Sequence, residues 1–174
     1  MQTHSFTLIL EGATSEEMAD ALFEAGCDDA SLSESCGVTR LEFDRDSETF
    51  EAAVTSAIAN TQSAGVRVLR IEPDELVTAS EAGDRLGQTR QSIQLYSTGA
   101  RGPGGFPSPI MGVGRRSPLY RWSEIVAWAR ANLGSDLEAP DTHLIAALNA
   151  AIELRRYAPD DALRFLELVS AGKR

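Results

Sequence analysis

The sequence predicts an α+β chain of three segments, and three observations carry that expectation. Short apolar runs at Phe6–Leu10, Val38–Phe43 and Val66–Ile71 have the length of strands, and the stretches between them repeat apolar residues at three and four, as helix faces do. Gly and Pro crowd residues 99–110 after two short helical stretches. Charge is also uneven along the 174 residues. Residues 1–75 hold four Arg and sixteen carboxylates, a net of −12; residues 76–134 hold seven Arg and three carboxylates, a net of +4; residues 135–174 carry −2. The overall −10 argues by itself against a polyanionic partner. The basic middle reverses that argument.

Within residues 1–75 the elements follow in order. After the first strand at Phe6–Leu10, Gly12 offers a turn and Thr14-Ser15 an N-cap, with Glu16 and Glu17 well placed at a helix start. Met18, Ala19, Leu22, Phe23 and Ala25 form that helix's stripe, which Gly26 ends. Ala30–Ser35 reads as a short strand broken at Gly37, and Val38–Phe43 as a better one. Ser47 is expected to cap a second helix with Phe50, Ala53, Val54, Ala57, Ile58 and Thr61 on its inner face, and Gly65 closes it before a strand at Val66–Ile71. The order is βαββαβ, which packs most economically as two helices on a four-stranded antiparallel sheet, the ferredoxin-like arrangement. Glu16, Glu17, Asp20 and Glu24 lie at helical spacing and read as a solvated face, so this acidic domain is expected to be a scaffold rather than a catalytic site.

Residues 76–134 read differently. Thr78 and Glu81 have the spacing of a reciprocal capping box, which predicts a short helix to Leu86. Gly87 ends it, and Thr89 caps a second helix, Arg90 to Ser97. Gly83, Gly87 and Ile93 stand where a helix-turn-helix needs a small contact residue, a turn glycine and a buried aliphatic. Beyond the Gly and Pro turn, Phe106–Ile110 is expected to be an edge strand and Ser117–Trp122 its returning partner. The glycine-rich loop Met111–Arg116 lies between them, tipped by Arg115 and Arg116. Such a hairpin is a wing. Ser123 is expected to cap a last helix with Ile125, Val126 and Trp128 on its packing face, ending at Leu133-Gly134.

Three stretches carry a family resemblance: Ser80-Glu81-Ala82-Gly83-Asp84-Arg85-Leu86-Gly87, Gly105-Phe106-Pro107-Ser108-Pro109-Ile110, and Tyr120-Arg121-Trp122-Ser123-Glu124-Ile125-Val126-Ala127-Trp128. Over about residues 76–133 the chain resembles the AlpA and excisionase-like winged helices, which are related to the MerR-type DNA-binding domain. It departs from their usual pattern with Gln88 after the turn glycine, Gly83 at the helix contact, Leu95 on the outer face and Tyr120 in the strand. The resemblance implies a sequence-specific double-stranded DNA-binding protein, either a transcriptional regulator or a factor that directs excision by a recombinase. Its second helix would enter the major groove, and its wing would lie along the backbone or minor groove. By that resemblance Arg90, Gln91 and Gln94 would read bases, since Arg pairs bidentately with guanine and Gln with adenine. Thr89 and the first N–H groups of the helix would hold a phosphate, with Arg85, Arg101, Arg115, Arg116 and Arg121 supplying charge. Fifteen of the sixteen cations are Arg, a bias that suits phosphate and guanine but that a GC-rich coding sequence produces equally.

Pro140-Asp141-Thr142 is expected to open a helix with Leu144, Ile145, Leu148 and Ile152 in a stripe, and Pro159-Asp160-Asp161 another with Leu163, Leu166 and Val169. This C-terminal helical hairpin, residues 135–174, is expected to pack within the chain, with exposure toward a second subunit or another protein left open. A homodimer, a protein partner on the acidic domain and an antitoxin-like or adaptor role are further alternatives. Catalysis, a cofactor and a metal site are not expected. Gly102-Pro103-Gly104-Gly105 lacks the Lys-Ser/Thr of a P-loop, Cys27 and Cys36 have no partners at ligand spacing, and His4 and His143 lie far apart. Apolar runs fall short of the roughly 18 residues of a membrane span, and the expectation is a soluble cytoplasmic protein.

Overall fold

The computed structural model describes residues 1–137 and 142–170 and is mixed α+β. Among the described residues are seven helices, a four-stranded antiparallel sheet and a two-stranded one. They form two compact units, Met1–Pro73 with Leu144 onward, and Asp74–His143.

The first unit contains β1 (Gln2–Leu10), α1 (Glu16–Glu24), β2 (Ala30–Ser35), β3 (Val38–Ser47), α2 (Phe50–Ser63) and β4 (Val68–Glu72). The sheet order is β2-β3-β1-β4, so α1 carries the chain past β3 and α2 carries it past β1. Alternation along the strands aims one side of each inward. Phe6, Leu8 and Leu10 of β1 are buried, as are Leu41 and Phe43 of β3, and the register pairs Phe6 with Phe43 and Leu8 with Leu41. Leu22 of α1 and Ala53, Val54 and Ala57 of α2 enter the same core. Arg45, also on this side of β3, is accommodated by bidentate bonds to Asp29 (2.7 and 2.8 Å) and by the Gly26 carbonyl (2.7 Å).

Two boundaries differ from expectation for local reasons. The sheet reaches Gln2, whose partner is Ser47, so Ser47 is held in β3 and Thr49 caps α2 instead, accepting from the Ala52 N–H. The strand at the end of the unit starts at Val68 rather than Val66, because the Val66 N–H is drawn back to the Thr61 carbonyl at the end of α2.

The C-terminal segment divides in two. α6 (Thr142–Tyr157) is part of the first unit from Leu144 on: Ile145 is fully buried in that core, and Leu148 and Ile152 pack on it. The Asn149 side chain accepts from the Ile71 N–H (2.8 Å) and donates to the Ile71 carbonyl (2.9 Å). Those are the bonds a further strand would make, and they cover the free edge of β4. α7 (Ala162–Ser170) buries no residue, and Leu163, Leu166 and Val169 of its expected stripe stay exposed. Of the described residues after 134, those before Leu144 belong with the second unit and those from Leu144 with the first. Pro140 and Asp141, expected to open α6, lie outside the described residues.

The second unit contains β5 (Leu76–Thr78), α3 (Ala79–Leu86), α4 (Arg90–Ser97), β6 (Leu119–Arg121) and α5 (Trp122–Leu133). Its core joins Val77, Ala82, Ile93, Tyr120, Trp122, Ile125 and Val126 to an aromatic group of Tyr96, Phe106 and Trp128. The capping box is formed: the Thr78 hydroxyl accepts from the Glu81 N–H, and the Glu81 carboxylate accepts from the Thr78 N–H at 2.7 Å. That backbone bond also holds the Glu81 carboxyl below its usual pKa.

Here the sequence expectation needs two corrections. Residues 106–110 are not a strand. Pro107 and Pro109 have no N–H to donate, so pairing is limited to a single bridge, Met111 with Leu119. β6 finds its ladder with β5 instead, pairing Val77 with Tyr120. The last helix starts at Trp122, and Ser123 does not cap it. Glu75, only 1% exposed, takes that role: its carbonyl accepts from the Trp122 N–H (2.7 Å), and its Oε1 accepts from both the backbone and the hydroxyl of Ser123.

Candidate functional site

The close packing of α3 and α4 begins with glycine. Gly87 ends α3 at φ +63°, a left-handed conformation that glycine adopts without strain. Gly83 allows the close approach. A Cβ there would lie 2.8 Å from the Gln88 carbonyl oxygen and 3.2 Å from the Arg90 nitrogen, both backbone atoms at the start of α4. A side chain at this position would therefore press on the backbone of the turn. Gln88 donates its N–H to the Gly83 carbonyl at 2.8 Å, and this bond fixes the turn.

α4 then has two faces. Ser92, Ile93 and Tyr96 are buried, which leaves Arg90, Gln91 and Gln94 exposed. Thr89 caps the helix, its hydroxyl accepting from the Ser92 N–H at 3.1 Å. The N–H groups of Arg90 and Gln91, one turn too early for a helical carbonyl, remain available at that terminus.

The loop between Ile110 and Leu119, expected to be a wing, is closed by three bonds. Ile110 and Met111 both donate to the Leu119 carbonyl (2.9 and 3.4 Å), and Leu119 donates back to Met111 (3.0 Å). Behind it, Phe106 packs between Trp128, Tyr96 and Tyr120, and Trp128 donates its indole N–H to the Gly104 carbonyl at 2.9 Å. The glycine-rich loop is thus tied to the core while its tip stays exposed.

This loop and α4 share one groove. Its lining includes Arg90 and Gln94 of α4, Arg115 and Arg116 of the loop, and the start of α3 at Ser80. Four of the nine residues expected at the site are thereby brought together, and no Asp or Glu occurs anywhere from residue 85 to 123. Gln91 and Thr89 are exposed on α4 without lining the groove. The remaining three arginines have structural engagements. Arg85 lies over the Trp122 ring (5.2 Å) and donates to the Asp74 carbonyl, Arg101 lies over Tyr96 (5.8 Å), and Arg121 pairs with Glu124 at 3.8 Å.

Sequence reasoning missed Ser97, Thr98 and Ser117, which also line the groove. Nothing local distinguishes them, because the groove exists only where the loop at Ser117 lies beside the C-terminal end of α4. Among the described residues no cluster of His, Cys, Asp and Glu is arranged to hold a metal, and no helix is long and apolar enough to cross a membrane. Comparison with protein-family models, with curated protein sequences and with solved structures gave no match.

Proposed function

We propose that the second unit is a winged helix-turn-helix of the AlpA and excisionase-like, MerR-type kind, and that the protein binds double-stranded DNA in a sequence-specific way as a transcriptional regulator. The observation that carries this reading is the groove joining Arg90 and Gln94 to Arg115 and Arg116. A helix of eight residues with a polar outer face suits the major groove, where Arg90 and Gln94 would read bases. The two wing arginines would neutralise phosphate. Arg85, Arg101 and Arg121 would contribute field rather than direct contacts, since each is already engaged.

The first unit has the strand order of a ferredoxin-like domain, and we assign it a scaffold role. Its acidic surface opposes non-specific attachment to DNA at low salt. One observation favours a second reading, in which the protein is an adaptor: Leu163 and Val169 of α7 are each 77% exposed, as a helix awaiting a protein partner would be.

The test is selection of duplexes from a random library on the immobilised protein. Enrichment of one motif, abolished by Arg90→Ala, supports the regulator. Enrichment of none, together with capture of a protein partner that requires α7, supports the adaptor.

A further inference from the structure

The wing apex has a composition that a solubilising loop would not have. The Arg115 N–H donates to the Gly112 carbonyl at 2.9 Å and closes a four-residue turn, Gly112-Val113-Gly114-Arg115. Gly114, third in that turn, has φ +77°, which only glycine adopts comfortably there. Val113 is second, the outermost position, where turns favour proline or short polar residues. It is 73% exposed, and on the same loop Met111 is 56% and Ile110 42% exposed. A single exposed apolar residue needs no explanation, but three within four residues, beside a turn with two adjacent arginines, do.

Charge and position identify the occupant. The whole stretch from residue 85 to 123 contains no carboxylate, so the loop is built to meet an anionic surface. Met111 and Val113 share a hollow with Arg115 and Ser117, and those two residues also line the groove that holds Arg90 and Gln94. The groove and the hollow at the apex therefore adjoin. Proteins that place apolar side chains between base steps in the minor groove unstack them and bend the duplex away by about 20–90°.

Resting on the DNA-binding reading above, we infer that the wing is an apolar wedge: Val113, assisted by Met111, enters the minor groove at a base step and kinks the duplex while Arg115 and Arg116 hold the flanking phosphates. Binding then bends DNA, and sequences with easily unstacked pyrimidine–purine steps under the wing are preferred even where no side chain reads them.

The experiment uses the full chain and a duplex enriched from the random library, labelled at its two ends as a donor–acceptor pair. Wild-type protein at saturation raises energy transfer as the ends approach. Val113→Leu retains the rise, and Val113→Ser loses it while keeping the salt dependence that the arginines supply. Intrinsic fluorescence of Trp122 and Trp128 verifies that each variant keeps its second unit folded. A duplex bound by wild-type protein without a change in energy transfer, or bent equally by Val113→Ser, overturns the wedge and leaves DNA binding standing. Enrichment of no duplex overturns both. Val113-dependent binding to phosphatidylserine vesicles with a straight bound duplex shows that the apex meets a membrane instead, and overturns the wedge as well.

Discussion

Gly83→Ala should loosen the second unit even though alanine is the better helix former. In a free helix the change gains about 1 kcal/mol. Here the added Cβ would sit 2.8 Å from the Gln88 carbonyl oxygen, 3.1 Å from the Thr89 carbonyl carbon and 3.2 Å from the Arg90 nitrogen. The first contact is about 0.6 Å inside ordinary van der Waals separation, and no obstructing atom belongs to a side chain that could swing away. Relief requires α3 and α4 to move apart, which stretches the 2.8 Å bond from Gln88 to the Gly83 carbonyl. Overpacking of this kind costs about 1–3 kcal/mol, so with the helix gain set against it the net loss is up to about 2 kcal/mol. Both tryptophans of the chain, Trp122 and Trp128, lie in the second unit's core, so their fluorescence reports its unfolding alone. For a unit of this size the melting temperature should fall by up to about 8–16 °C. Arg90, displaced with the start of α4, should lose discrimination between duplexes at the same time. Increased stability in Gly83→Ala would refute the close approach of α3 to the turn before α4.

Other changes separate reading, charge and scaffold. With about four phosphates neutralised, log affinity should fall with log salt at a slope near −3.6; Arg115→Ala with Arg116→Ala should bring it to about −1.8, measured by titration at several salt concentrations. Arg90→Ala and Gln94→Ala should each cost about 1–3 kcal/mol of preference between duplexes and leave non-specific binding nearly intact. Glu75→Ala should destabilise the second unit by about 1–2 kcal/mol in tryptophan-monitored urea unfolding, because the Ser123 N–H and hydroxyl lose their acceptor while the backbone bond from Trp122 stays. Asp29, held below the ordinary carboxylate range chiefly by its hydrogen bonds from Arg45, contributes stability that is complete above the unfolded value near 3.9 and is lost as pH falls through the lower folded value. Arg45→Ala should therefore cost about 2–3 kcal/mol at neutral pH by circular dichroism melting, with the difference from wild type shrinking below about pH 4.

Much of this architecture could be read from local pattern. Alternation at Phe6, Leu8 and Leu10 placed a strand, and the spacing of Ala53, Val54 and Ala57 placed a helix face, because burial on one side imposes its period directly. The turn glycines and the caps at Thr78 and Thr89 were equally legible, since each satisfies backbone groups within three residues of itself. What escaped depends on partners distant in the chain. Leu76–Thr78 becomes a strand only because Leu119–Arg121 arrives beside it, and Glu75 acts as a cap only for a helix nearly fifty residues later. α6 covers the edge of β4 through Asn149, a residue with no sequence signal beyond its position in an apolar stripe. At the candidate site, the exposed face of α4 followed from its period. Which arginines are free to act did not, because the rings of Trp122 and Tyr96 claim Arg85 and Arg101 only in three dimensions.

The most direct test of a joint interface formed by α4 and the wing is fluorescence anisotropy with two labelled duplexes, one enriched from a random library and one scrambled, across a salt series. Wild-type protein should prefer the enriched duplex. Arg90→Ala should bind both alike with the wild-type salt slope, and Arg115→Ala with Arg116→Ala should weaken both by the same factor with a shallower slope. Absence of salt-dependent binding to either duplex, or binding untouched by both sets of substitutions, would contradict it.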